Sequence, residues 1–337
     1  MDMYSDCTSC MMLWFAAPPG GWDTRHTRWR LGIERTRRII LSAVSGDYTA
    51  RLGYHSAMRG KAHDSTRAAF ARTVQGTDVE MNLALASLLF ALDRHPELDV
   101  AQYLAMLDAL AEGAARVVPS DADPVEALTA LGRYLCDGEG LRGEQKVYST
   151  TDGCFLDRAL DQRTGLPITL SVIYLEVGWR IGLPLAGVGV PGHFIIKHEA
   201  NEAAYCDPFH GGRVFHADDC AAALGGQLGE DFTFHQAFLA SVSRATILYR
   251  MLNNLKQMYL RSRKLHLALW ATDRMLIVRP ESVADIRDRG LLYAAIQNHT
   301  QAVLDLEAYL SSVPNPPDAL AVIELLRTAQ LRSGWLN

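Results

Sequence analysis

From about residue 65 onward the apolar positions fall into a helical rhythm. The stretch "DVEMNLALASLLFALDRHP" (78–96) opens on acidic residues suited to the positive end of a helix dipole and stops at Pro96. "LDVAQYLAMLDALAEGAARVV" (98–118) sets Val100, Tyr103, Leu104, Leu107 and Leu110 near helical spacing, with Asp99 as the expected cap. In "DPVEALTALGRYLCDG" (123–138) Asp123 takes the cap position, Pro124 the first helical position and Gly138 the place past the end. These three helices are expected to pack as a small bundle. "GCFLDRALDQR" (153–163) predicts a short helix. "GLPITLSVIYLEVGWRIGLP" (165–184) predicts another, with Leu166, Leu170, Ile173, Val177 and Ile181 on one face. The rhythm then shortens to β-type runs: "LPLAGVGV" (183–190), "HFIIKH" (193–198) and "AAYCD" (203–207). A buried helix followed by strands that can pair antiparallel is an α+β pattern.

The last hundred residues return to helices and repeat themselves. Leu255, Tyr259, Ala268, Leu276 and Pro280 recur 34 residues later as Arg289, Tyr293, Ala302, Leu310 and Pro314, and only the first pair differs. That period, with proline after the second helix, is the tetratricopeptide helix–turn–helix pattern. The expected organisation is therefore a poorly ordered extension at 1–64, a helical bundle plus α+β region at 65–235, and helical repeats at 236–337. The extension contains the basic stretch "RHTRWRLGIERTRR" (25–38), read either as an arm for an acidic partner or as sequence ahead of a start near Met58.

Composition narrows the possible roles. With 33 basic and 38 acidic residues the net charge is -5, which argues against bulk electrostatic binding to nucleic acid. The longest apolar runs, such as "LALASLLFAL" (83–92), are too short to span a bilayer, so no membrane partner is expected. The N-terminus lacks the basic start of a secretory signal. The six cysteines are therefore read as reduced thiols of a cytoplasmic protein. "CTSC" (7–10) has no partner pair to complete a zinc site.

Candidate chemistry concentrates in "GVPGHFIIKHEANEAAYCDPFHGG" (189–212). His193 heads an apolar run and Asp207 ends the next one, so imidazole and carboxylate can meet across adjacent strands. An aspartate-oriented histidine is two thirds of a nucleophilic triad. The same pair also serves as a hydrogen-bonded cap on a buried strand end, and spacing leaves both roles open. His193, His198, Asp207, His210 and His216 cluster in sequence, yet no pair has a recognised zinc spacing, so neither a metal nor another cofactor is expected.

"DGCFLDRALDQRTGLPITLSVIYLEVGWRIGLPLAGVGVPGHFIIK" and "YCDPFHGG" resemble the bacterial SirB-type proteins, a branch of the transglutaminase-like superfamily with a tetratricopeptide tail. The resemblance covers roughly residues 66–333 and implies a papain-like, cysteine-protease-type core with a short antiparallel sheet. It also implies a cysteine at the start of the central helix, in a G-x-C pattern, as partner of the histidine and aspartate. Gly165, His193 and Asp207 fit that pattern, but the nucleophile position falls on Pro167. Proline offers no nucleophilic atom and no amide hydrogen.

Substitutes are few. Cys206 adjoins Asp207 in one strand and faces the other way. Thr169 falls on the far side of the helix from Pro167, and Ser171 lies a turn deeper. Cys154, at the start of the preceding helix, is the most credible thiol, against a plain role as a small buried filler. The leading expectation is a pseudoenzyme: a remnant His193–Asp207 site beside Pro167, Ser171, Phe194 and His210 as binding residues, coupled to repeats that bind a protein or peptide partner in a recognition or regulatory role. The alternatives are a thiol-dependent hydrolase or acyl transferase using Cys154, His193 and Asp207, and a purely structural tail that offers no free groove.

Overall fold

The structure, a computed structural model of the chain, describes residues 56–78, 80–200, 204–220 and 235–334. The extension expected at 1–64 lies outside the described residues except at its end, where α1 (Ser56–Thr73) already runs. The "CTSC" pair and the basic stretch at 25–38 also lie outside them. The chain divides into two compact units, one holding residues 63–251 and the other residues 252–334.

In the first unit, helix ends follow local chemistry. α2 (Leu83–Leu92) is capped by Asn82, whose side chain accepts from the Leu85 N–H at 2.9 Å. The acidic residues expected to open this helix do other work. Glu80 folds back on the Thr77 N–H and hydroxyl at 3.0 and 2.7 Å, and Asp78 accepts from the Ala245 N–H at 3.2 Å. A cap must immediately precede the first turn, and Asn82 stands there. α3 (Val100–Ala115) and α4 (Pro124–Arg133) begin as expected, on the side chains of Asp99 and Asp123, with Pro124 in the first turn. α4 passes into a wider π turn at Tyr134–Gly138, so Gly138 closes that turn and not the α-helix.

α5 (Leu156–Gln162) leads into α6 (Pro167–Arg180). Every residue of α6 from Pro167 to Gly178 is buried, so the single apolar face expected for it is a surround. The helix packs against α2, α3, α4, α5 and the sheet, and a helix covered on all sides has no polar face to show. Its Glu176, also buried, accepts from the Ala84 N–H at 2.9 Å, placing a carboxylate on the positive N-terminal end of α2.

The strands are β1 (Leu185–Val188), β2 (Ile195–His198), β3 (Tyr205–Asp207), β4 (Arg213–Phe215) and β5 (Ser241–Val242). They form one antiparallel sheet in the order β4-β3-β2-β1-β5. The expected runs shrink, β1 to the middle of its run and β2 and β3 to the ends of theirs, and the two edge strands carry too short a pattern to be legible beforehand. His193 stands two residues ahead of β2, in a turn. Its N–H reaches the Val190 carbonyl at 3.3 Å around Pro191 and Gly192, with Gly192 at φ 72°, the proline–glycine pattern of a type II turn.

The second unit starts within α7 (Arg244–Arg261) and continues through α8 (Leu265–Val278), α9 (Val283–Ala295), α10 (His299–Ser312) and α11 (Ala319–Ser333). The 34-residue repeat is visible in the backbone. Arg263 and Gln297 both take left-handed φ, 54° and 65°, and the carbonyls of Tyr259 and Tyr293 accept from Lys264 and Asn298 at 2.8 and 2.9 Å. Arg289, the one mismatched mark, is half-buried and holds the Asp305 carboxylate with two bonds of 2.7 and 2.8 Å.

Lys256 is 1% exposed at its side chain and sits between Asp285 and Asp288, at 2.9 and 2.7 Å. Burial by itself would raise the Asp288 carboxyl, but Lys256 and Arg287 hold it down at about 2. That stabilisation is present above the ordinary carboxylate range and is lost as pH falls through about 2. Lys256→Met leaves the buried Asp285 without its lysine partner and Asp288 with Arg287 as its remaining cation. Chemical denaturation is expected to show about 3–5 kcal/mol lost at neutral pH, with acid unfolding moved to higher pH.

Candidate functional site

The turn that carries His193 rests on a buried arginine. Arg250, from α7, donates from Nη2 to the carbonyls of Val190 and His193, both at 3.2 Å, and lies 5.1 Å from the Phe194 ring centre. Burial pushes its pKa down to about 9. A Cβ on Gly189 would come within 1.8 Å of Arg250 Nη1, so a side chain there would displace the guanidinium from its place under the turn. The backbone of His193 is thereby held from beneath.

Its side chain meets Asp207 as the sequence suggests. His193 Nε2 lies 2.9 Å from Asp207 Oδ2, and each residue is 4% exposed. His193 Nδ1 has no hydrogen-bond partner among the described residues. Asp207 closes β3 and turns its carboxylate onto the chain that follows. Its Oδ1 accepts from the N–H groups of Phe209 and His210 at 3.1 and 3.3 Å, while Oδ2 also meets His210 Nδ1 at 2.7 Å. The Phe209 ring stands edge-on to His193, with centroids 6.1 Å apart.

Glycines hold this turn in place. Gly211 and Gly212 take left-handed φ of 75° and 67°, and the Gly212 N–H returns to the Asp207 carbonyl at 2.9 Å. α4 presses on it: a Cβ on Gly132 would lie 2.7 Å from the Gly212 carbonyl oxygen. Gly143 donates to the Phe209 carbonyl at 2.9 Å, and a Cβ there would overlap the Phe209 ring at 2.3 Å. Sequence reading missed Gly132 and Gly143 as supports of the site. The signal available was an isolated glycine inside the helical pattern of 123–138.

The electrostatics follow from these contacts. Burial alone would raise the Asp207 carboxyl, but the hydrogen bonds from His193 and His210 outweigh it and hold the group well below the usual carboxylate range. The Asp207 bond in turn raises His210 above the ordinary histidine value, against a smaller opposing effect of burial.

The thiols are set differently. Cys154 ends a 3-10 turn (Asp152–Cys154) and is 1% exposed. Burial, reinforced by Asp152, pushes its pKa far above the normal thiol range. Cys206 is buried and shifted the same way. Among the described residues Cys136, Cys154, Cys206 and Cys220 form no disulfide. Pro167 opens α6 in its first turn, with no side-chain cap on that helix. Ser171 Oγ reaches the Phe194 carbonyl only at 3.5 Å, and Thr169 Oγ1 is buried without a hydrogen-bond partner among the described residues. Of the expected binding residues, Pro167, Ser171 and Phe194 are buried, whereas the His210 side chain is 43% exposed.

No zinc spacing was recognised in the sequence, yet the fold brings three potential donors together. One nitrogen each from His193 and His210 and one Asp207 oxygen lie within 4.8 Å of one another. The ligand spacings known from sequence describe donors on one turn or hairpin, and this set joins a turn before β2 to a turn after β3. His198 and His216 are not part of the cluster.

Comparison with known proteins agrees with this architecture. Residues 101–253 match the transglutaminase-like superfamily model, and residues 255–327 match a tetratricopeptide repeat model. A UPF0162 protein of Xylella fastidiosa (strain Temecula1) is 32% identical over 247 residues, 71% of this chain and 86% of that protein. A UPF0162 protein of Vibrio cholerae is 32% identical over 191 residues, 56% of this chain and 69% of that one. Protein SirB1 of Salmonella typhimurium is 28% identical over 239 residues, 70% of this chain and 86% of its own. No solved structure matches the chain.

A folded pKa that is raised stabilises the protein below the ordinary histidine range, and the gain is lost as pH climbs through the raised value. His210 is therefore expected to titrate above the ordinary histidine value. In Asp207→Asn its midpoint should fall, and the fold should lose its preference for the acidic side of that range. Imidazole NMR titration reads the first effect and thermal melts across pH the second.

Proposed function

Because the chain belongs to the family of the UPF0162 and SirB1 proteins, with a transglutaminase-like region followed by tetratricopeptide repeats, we propose that it is a non-catalytic member that binds a protein or peptide. The observation that carries this reading is Pro167 in the first turn of the central helix α6. The resemblance to the superfamily's enzymes asks for a thiol there. A proline supplies neither that atom nor an N–H for an oxyanion.

The geometry of His193 and Asp207 favours a second reading, a hydrolase or acyl transferase with Cys154 as nucleophile. Its weakness is the thiol. A nucleophilic cysteine needs a lowered pKa and access, and Cys154 has a raised pKa and is buried. The tetratricopeptide tail supports binding, since stacked helical pairs present concave surfaces to partner segments. A cytoplasmic setting accords with described cysteines that form no disulfide. In that setting the coupled site and repeats would serve recognition or regulation, with no role for nucleic acid.

Two measurements test the reading. In the folded protein, iodoacetamide is expected to label Cys154 slowly between pH 6 and 9, at a rate unchanged in His193→Ala. Fast labelling at neutral pH that depends on His193 would replace this reading with the thiol enzyme. Selection of displayed random peptides on the full chain should enrich binders, and a selection that never rises above background removes the binding role.

A further inference from the structure

We propose that His193, Asp207 and His210 form a site for one divalent transition-metal ion of the zinc class. Two imidazoles and one carboxylate are the donor set such ions prefer, whereas calcium and magnesium favour all-oxygen sites. The three donors already converge, with Asp207 Oδ2 2.9 Å from His193 Nε2 and 2.7 Å from His210 Nδ1. On a tetrahedral ion with bonds of about 2.0–2.1 Å, neighbouring donors stand roughly 3.3 Å apart. The cluster therefore opens by about half an ångström to admit the ion, well inside the 4.8 Å that now encloses the donor atoms.

The surroundings are those of a built site. Asp207 Oδ1 is fixed by two backbone N–H groups, leaving Oδ2 to face the imidazoles, and such outer contacts orient metal ligands. The His193 carbonyl is held by Arg250, and the Asp207–Gly212 turn is wedged by Gly132 and Gly143. His193 and Asp207 are buried and the His210 side chain is 43% exposed, so the ion reaches the cluster from the His210 side. Three protein donors leave a fourth position for water.

Binding exchanges hydrogen bonds for metal bonds. Each neutral imidazole must offer a lone pair, so the proton moves from Nε2 to Nδ1 on His193 and from Nδ1 to Nε2 on His210. A ring that is protonated beforehand releases its extra proton to solvent. Nothing among the described residues engages His193 Nδ1, which is therefore able to take its proton. This inference does not rest on the binding role proposed above.

The test uses the full chain, stripped with a chelator and titrated with zinc chloride against a chromophoric competitor at neutral pH. One equivalent is expected to bind. Asp207→Asn and His210→Ala should each weaken it by at least ~100-fold, beyond the usual loss from removing a supporting residue. His216→Ala removes an exposed histidine outside the cluster and should change nothing. Cobalt(II) added to the unsubstituted protein should give visible d–d bands and displace the His193 and His210 imidazole NMR signals, a readout that needs no variant to fold. Three results would each overturn the site: no zinc bound by the unsubstituted chain, binding unaltered in both ligand variants (adventitious ions only), or cobalt that leaves those two imidazoles unmoved.

Discussion

The buried carboxylate of Asp207 is the contact on which the candidate site depends. It accepts from two backbone N–H groups through one oxygen and meets two imidazoles through the other. An ionised group with so little contact with water is tolerated only when its lone pairs are filled. That requirement fixes three things together: the turn after β3, the ring of His193 and the ring of His210. The glycines at 132, 143, 211 and 212 follow from it, because a side chain at any of them would push the turn away or strain it.

Both units handle buried charge in this way. Arg250 satisfies two carbonyls beneath the His193 turn, Glu176 caps the N-terminus of α2, and Lys256 is clasped by Asp285 and Asp288. Such groups add little net stability relative to an apolar core, but removing one partner leaves the other stranded. They make the arrangement specific. A core with these pairs tolerates few alternative registers, because each slip would strand a charge.

The histidine and aspartate of a cysteine-enzyme pattern stand at hydrogen-bond distance, yet the helix that would present the cysteine begins with Pro167. The thiols of Cys154 and Cys206 are buried, which opposes their ionisation. A buried imidazole, His193, and a partly exposed one, His210, stand oriented on a single carboxylate.

Several features were determined by the sequence alone, because they are local. Asp99 and Asp123 cap the helices they precede, Pro124 and Pro167 sit in first turns, and the 34-residue period returns as matching left-handed turns at Arg263 and Gln297. The meeting of His193 with Asp207 was legible too, since antiparallel neighbours bring strand ends together. The remainder required the folded chain. Asn82 replaces the acidic residues as cap of α2 because those carboxylates find other donors, one of them far along the chain. α6 is surrounded where one face was expected, because burial depends on what packs against it. For Cys154 the sequence left a helix-start thiol and a buried filler both open, and burial, a property of the surrounding core, raises its pKa. His210 joined the cluster only through the turn that Asp207 itself closes, and Gly132 and Gly143 through close approach of distant backbone. Caps, turns and periods are written in neighbouring residues, whereas desolvation and convergence are set by residues remote in sequence.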